Sequence, residues 1–167
     1  EEMGFKQLRQ ALDLSGEEVA PVAIDYTEVE QVTSDMLTED SFFHFEIFGD
    51  NYHTEPIIGF AWGTKGQLYA STDTGLLQTP IFKEFLEKTP LKVYDFKRAK
   101  VLLSHLGISL QNPAFDSRLA KYLLSTVEDN EISTIASLYS QIALPLDEVV
   151  YGKGAKKAIP EKAVLLE

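Results

Sequence analysis

Between residues 41 and 63 the chain reads SFFHFEIFGDNYHTEPIIGFAWG. From 42 to 48 the polar His44 and Glu46 are interleaved with aromatic and aliphatic residues, the period-two pattern of a half-buried strand. The denser apolar run IIGFAWGT (57–64) suits a central strand, and Gly66 turns the chain into a third strand, QLYAST (67–72). Three successive strands joined by short turns predict an antiparallel meander. Ahead of it, VAIDYTEV (22–29) reads as a strand, and TSDMLTED (33–40) as a capped helical turn or two.

The apolar period then lengthens from two to about 3.6 residues. TPIFKEFLEKT (79–89) opens with Thr79 as a cap and Pro80 at the first helical position, a strong start signal. LKVYDF (91–96) predicts a short strand. KRAKVLLSHLG (97–107) predicts a helix with Ala99, Leu102, Leu103 and Leu106 on one stripe, closed by Gly107. ISL (108–110) predicts a brief strand. Two further helices follow in DSRLAKYLLSTV (116–127) and NEISTIASLYSQI (130–142). Phe115, Leu119, Tyr122 and Leu123 form the apolar face of the first, and Ile132, Ile135, Ala136 and Tyr139 that of the second. YGKGAKK (151–157) is a glycine-hinged basic loop, and PEKAVLLE (160–167) begins another helix. A strand meander followed by alternating helices and strands predicts an α/β fold, a mixed sheet flanked by helices. Residues 1–20, ending in the acidic SGEEVA, read as a lead-in or interdomain linker, and residues 21–167 as one domain.

Composition narrows the class. With 44% hydrophobic and 25% charged residues, the 167-residue chain has the balance of a globular domain rather than a disordered or fibrous one. No apolar run approaches the roughly 18 residues of a membrane span, and the first residues lack the pattern of a signal peptide. The absence of cysteine removes disulfides, thiolate metal sites and cysteine nucleophiles, and points to a reducing, cytoplasmic setting. Charge is uneven. Residues 1–55 hold 14 acids against two bases, whereas 56–167 are nearly balanced. Only the second part can approach a phosphate backbone without electrostatic penalty.

Strand alternation puts His44 and Glu46 on one face. A metal site of oxygen and nitrogen ligands needs several such side chains converging from separate elements. This pair begins such a set, but no local pattern places a third ligand. The competing reading is a partly solvated strand face beside Phe42 and Phe48. His53, in a turn, and His105, near a helix end, read as structural or exposed. No G-x-S-x-G is present, so serine hydrolysis lacks support. Gly152-Lys153-Gly154 is too short for a phosphate-binding P-loop. With Lys156 and Lys157 it suits contact with a nucleic-acid backbone or an acidic neighbouring domain, and equally a plain solvated loop. Tyr151 reads as exposed and able to stack on bases.

Four blocks in order, DNYHTEPIIGFAW, FKRAKVLLSHLGISL, AFDSRLAKYLL and DEVVYGKGAKKAIP, resemble the 3′–5′ exonuclease-like domain of bacterial DNA polymerase I, a family A DNA polymerase. The resemblance runs from about residue 22 onward and implies an RNase H-like fold. Active members carry four acidic residues in three motifs. Counting back from Gly59, the first motif, Asp-x-Glu, places its Asp position on His44 and its Glu position on Glu46. Counting back from Gly107, the second motif's Asp position falls on Ala99 and its Asn position on Asp95. The third motif, Tyr-x-x-x-Asp, belongs to the helix that PEKAVLLE begins, and the expectation is that residues 21–167 stop short of it.

The resemblance therefore implies a degenerate, non-catalytic domain. A methyl group at 99 has no lone pairs, and one carboxylate with an imidazole cannot hold two divalent ions about 3.5–4 Å apart. No cofactor is expected for this domain, while Mg is expected in active relatives and in the parent polymerase. The implied partners are the polymerase domain of the same parent chain and, through it, DNA in replication and repair, with no membrane. Lys153, Lys156 and Lys157 are the candidate DNA contacts. Two rivals stay open: an active metal-dependent proofreading exonuclease using His44, Glu46 and Asp95 as substitute ligands, and a stand-alone interaction module.

Overall fold

The computed structural model describes residues 24–124 and 144–166, together with Ile132 and Ala136. The lead-in assigned to residues 1–20 lies outside the described residues. So does the helix expected over 130–142, apart from those two positions.

Among the described residues six strands form one sheet. They are β1 (Thr27–Glu28), β2 (Phe42–Ile47), β3 (Ile57–Thr64), β4 (Gln67–Ser71), β5 (Lys92–Val93) and β6 (Phe115–Asp116), in the spatial order β1-β4-β3-β2-β5-β6. The pairs β2–β3 and β3–β4 are antiparallel, which is the expected meander, while β1–β4, β2–β5 and β5–β6 are parallel. The sheet is mixed for a simple reason. Short turns return the chain antiparallel, whereas β5 and β6 arrive after helical crossovers. Flanking helices are α1 (Pro80–Lys88), α2 (Phe96–His105), α3 (Ser117–Leu124), α4 (Asp147–Val150) and α5 (Lys162–Leu166).

Alternation along β2 and β3 sorts the two faces. Phe43, Phe45 and Ile47 of β2, and Phe60 and Trp62 of β3, point into a core completed by Phe82 and Leu86 of α1 and by Ala99, Leu102 and Leu103 of α2. Trp62 stacks on Phe60 at 5.6 Å, and its indole N–H donates to the Met36 carbonyl at 2.8 Å, so this large side chain is buried with its one polar atom satisfied. The registers His44↔Ala61↔Ala70↔Glu28 and Glu46↔Gly59 put those residues on the opposite face. There α5 lies close. A Cβ on Gly59 would sit 3.7 Å from the Leu165 side chain, and Lys162 pairs with Glu28.

Several boundaries differ from the sequence expectation. The first strand and LKVYDF shrink to two residues each, because only those positions find a ladder partner. Thr79 occupies the cap position of α1, yet its hydroxyl donates to the Leu76 carbonyl at 2.6 Å, closing a 3-10 turn over Thr74–Gln78 that buries Leu76 and Leu77. ISL is not a strand. Ile108 and Leu110 are buried from a loop, and the Ile108 N–H bonds to the Leu103 carbonyl at 3.0 Å across Gly107 (φ +71), a Schellman closure of α2. The helix expected from 116 starts at Ser117, with Asp116 accepting from the N–H groups of Arg118 and Leu119, and Phe115, read as part of its apolar face, lies in β6. The expected apolar face of α3 is exposed: Leu119 is 55% and Leu123 75% accessible, whereas Lys121 is buried.

Gly63 is the backbone position with least latitude. It has φ +145 inside β3, and a Cβ there would collide with the Gln67 carbonyl oxygen across the hairpin. Gly63→Ala is expected to destabilise the fold by about 3 kcal/mol, the scale of strained backbone plus a forced strand shift. Urea unfolding of the two proteins checks it, and Gly66→Ala, where an added Cβ meets nothing within 4 Å, serves as the mild comparison.

Candidate functional site

Glu46 stands at the end of the regular β2–β3 ladder, where the register shifts by one residue before Ile47. Such a bulge re-aims the side chain beside it. Both carboxylate oxygens are engaged by protein donors. His44 Nε2 lies 2.7 Å from Oε2, and the Tyr151 hydroxyl donates to Oε1 at 2.8 Å. An ionised carboxylate oxygen only accepts, so the contact requires His44 Nε2 to be the donor, and that nitrogen then offers no lone pair to a metal. The Arg98 guanidinium adds a positive charge, with Nη2 3.9 Å from Oε2 and donating to the Phe45 carbonyl at 3.4 Å.

Electrostatics follow this geometry. Burial by itself would raise the Glu46 pKa, but the hydrogen bond and charge of His44, the Tyr151 hydroxyl and the Arg98 charge together hold it below the usual carboxylate range. Tyr151 moves the other way. Burial and the adjacent Glu46 charge push its hydroxyl well above the ordinary phenol value, so it remains a donor at any physiological pH.

Asp95, read from sequence as a substitute ligand, has other commitments. It is the N-cap of α2, accepting from the Arg98 N–H at 3.0 Å, and its second oxygen pairs with Arg118. Ala99 is buried one turn further along the same helix. His44, Asp95, Arg98 and Ala99 do converge, together with Phe43, Phe45, Val93 and Tyr94, on one pocket of about 10 Å³. That volume admits about one water molecule. Among the described residues no group of three or more His, Asp or Glu side chains is arranged to hold a metal ion.

Lys153, Lys156 and Lys157 are exposed, with Lys153 paired to Glu148. Tyr151 corrects the sequence reading. It is 8% accessible, packed edge-on to Phe48 at 5.6 Å and hydrogen-bonded to Glu46, because burying its ring just beyond the end of β2 lets its hydroxyl meet a charged acceptor. Stacking on a nucleobase is closed to it in this arrangement. The basic loop and the β2 carboxylate, two separate candidates in the sequence, thus meet at one point. Arg98 was missed altogether. Its only local signal is a basic residue one position before the apolar Ala99 in the second motif region.

A mixed sheet with an antiparallel meander, a carboxylate on the meander's first strand and helical crossovers defines an RNase H-like α/β domain. Solved structures agree at the level of fold. Brucella melitensis NrnC aligns with a TM-score of 0.61 at 16% identity, covering 83% of this chain and 68% of that one. NrnC with bound Mg2+ aligns with a TM-score of 0.59 at 12% identity, covering 84% and 69%. The chain belongs to the DNA polymerase I, ribonuclease H-like domain family, which its residues 43–167 match. Curated relatives include the DNA polymerase I of Streptococcus pneumoniae (strain ATCC BAA-255 / R6), 64% identical over 167 residues, with all of this chain and 19% of that protein covered. The DNA polymerase I of Bacillus subtilis (strain 168) is 36% identical over 176 residues, covering 99% of this chain and 20% of that protein. The chain thus spans about a fifth of the length of these relatives. Among the described residues no helix is long and apolar enough to cross a membrane.

The depressed Glu46 pKa carries a sign. A carboxyl with a lower pKa folded than unfolded contributes stability that is complete above its unfolded value, about 4.3, and lost as pH falls through the folded value. Stability measured from pH 6 downward is expected to fall across that window, and Glu46→Gln is expected to remove this part of the fall.

Proposed function

We propose that this chain is a degenerate 3′–5′ exonuclease-like domain of a DNA polymerase I, without nuclease chemistry of its own. It acts as a scaffold beside a separate polymerase domain that synthesises DNA in replication and repair. The observation that carries this reading is the state of Glu46, whose two oxygens are taken by His44 and Tyr151 and whose charge is met by Arg98. In active relatives of this fold the corresponding place would be filled by divalent metal. The residues here do not fit that group: each Glu46 oxygen is already engaged by a protein partner, Asp95 is tied into a helix cap and an ion pair, and position 99 offers a buried methyl. The same commitments weigh against substitute ligation by His44, Glu46 and Asp95. Identity to DNA polymerase I over the whole chain weighs against a stand-alone module.

In this reading residues 21–167 are the exonuclease-like domain, residues 1–20 a linker, and the parent protein is cytoplasmic. Its Mg serves the polymerase domain. The parent's polymerase domain and DNA are the partners, and Lys153, Lys156 and Lys157 are the side chains of this domain placed to meet phosphate.

The expected result with labelled single-stranded or mismatched primer, excess protein and Mg²⁺ or Mn²⁺ is full-length primer. Shortening that is abolished by Glu46→Ala would overturn the reading. The double change His44→Asp, Ala99→Asp is expected to leave the primer intact as well. The new carboxylate at the buried position 99 is expected to lower stability by roughly 1–3 kcal/mol, read by thermal or urea unfolding.

The scaffold role is tested in the parent polymerase. Deleting this domain is expected to leave nucleotide addition in place while lowering melting temperature or processivity; equality of both with the intact enzyme would remove the proposal. Replacing Lys153, Lys156 and Lys157 with alanine is expected to leave the fold unchanged. The slope of log affinity for DNA against log salt should then fall by about one for each lysine that touches phosphate.

A further inference from the structure

We infer that Glu46 is a positioning residue: together with His44 it holds the basic turn 151–158 in place on the sheet, giving the carboxylate a mechanical task where nuclease chemistry would need a metal-binding one. This rests on the proposed reading only for what the lysines of the turn touch.

The turn is built tightly and closed at its neck. Gly152 (φ +81) and Gly154 (φ +57) reverse the chain, and the Lys156 and Lys157 N–H groups return to the Lys153 and Gly154 carbonyls. The Ala158 N–H donates to the Tyr151 carbonyl at 2.9 Å, which closes the loop. A Cβ on Gly152 would lie 3.1 Å from the Lys156 carbonyl oxygen, so the two sides of the turn nearly touch. The Lys153–Glu148 pair ties the turn only to α4, its immediate neighbour in sequence. Among the described residues, Tyr151 links the turn to the end of β2, by its ring on Phe48 and its hydroxyl on Glu46.

His44 makes that attachment directional. By donating to Oε2 it fixes the carboxylate rotation that turns Oε1 toward Tyr151. Against burial, the His44 contact, the Tyr151 hydroxyl and, at 3.9 Å, the Arg98 charge from α2 together favour the ionised carboxylate, a strong acceptor. An aspartate at 44 would supply an acceptor where the arrangement needs a donor.

Hydrogen exchange followed by mass spectrometry in the full-length protein tests this, with Tyr151→Phe, Glu46→Gln and Glu46→Ala. Tyr151→Phe keeps the ring on Phe48 and deletes only the hydroxyl. It and Glu46→Ala are expected to raise exchange of the Lys156, Lys157 and Ala158 amides by about tenfold, the scale of one lost hydrogen bond to a charged group. Glu46→Gln retains an acceptor oxygen and is expected to loosen the turn clearly less. Exchange in β2–β4 should stay as it was. Three outcomes overturn the inference: no change in the turn, an increase spread evenly over β2–β4, or equal loosening by Gln and Ala. Should Glu46→Ala fail to fold, Tyr151→Phe and Glu46→Gln decide between them.

Salt-dependent DNA binding is measured on Tyr151→Phe beside the triple lysine variant. A loosened turn with no DNA effect in the lysine variant leaves the inference standing and removes the DNA contact from the proposed function. A weakened lysine variant with an undisturbed turn in Tyr151→Phe overturns the inference alone.

Discussion

A carboxylate pulled partly out of water must be met by donors or give up its charge, and in this domain that requirement falls on Glu46. Its solution uses three elements at once: His44 from the same strand, Arg98 from the helix packed beside it, and Tyr151 from the far end of the described chain. Each of these partners is itself constrained. Arg98 follows the Asp95 cap that starts α2, His44 is set by strand alternation, and Tyr151 is wedged against Phe48. The position of α2 against β2 and the docking of the basic turn are therefore coupled through a single side chain. A metal ion at the same place would impose a different requirement, since it competes for the lone pairs that these donors use.

The sheet makes this possible by dividing labour between its faces. One carries Phe43, Phe45, Ile47, Phe60 and Trp62 into a dense aromatic core with α1 and α2, and burial of that surface supplies most of the driving force for folding. The other carries Glu46 opposite Gly59, and the missing side chain at Gly59 leaves room for Leu165 of α5. The register shift after Glu46 interrupts the pleat at the point where the carboxylate must turn toward Tyr151.

Much of the architecture was legible from residue order. The meander could be read to within a residue, since alternation, a dense apolar run and a two-residue turn are signals carried by neighbours. Pro80 and Gly107 marked the start of α1 and the end of α2 for the same reason. The failures were also physical. ISL has the composition of a strand, but its backbone partners are a helix end and the Glu87 side chain. Phe115 fits a helical stripe, yet pairing with Lys92 draws it into β6, where it meets Phe42 edge-on at 6.0 Å. A pattern reports what a segment can form; ladder partners decide what it does form.

The candidate site divides along the same line. Sequence by itself placed His44 and Glu46 on one strand face, put Ala99 on the apolar stripe of a helix and made residues 151–157 a glycine-hinged basic turn, all consequences of spacing within a few residues. Only the tertiary structure decided that both Glu46 oxygens meet protein partners, that Asp95 caps α2 and pairs with Arg118, and that Tyr151 is buried. The Tyr151–Glu46 hydrogen bond joins positions 105 residues apart. No local periodicity encodes such a contact, because it depends on where the whole intervening chain returns.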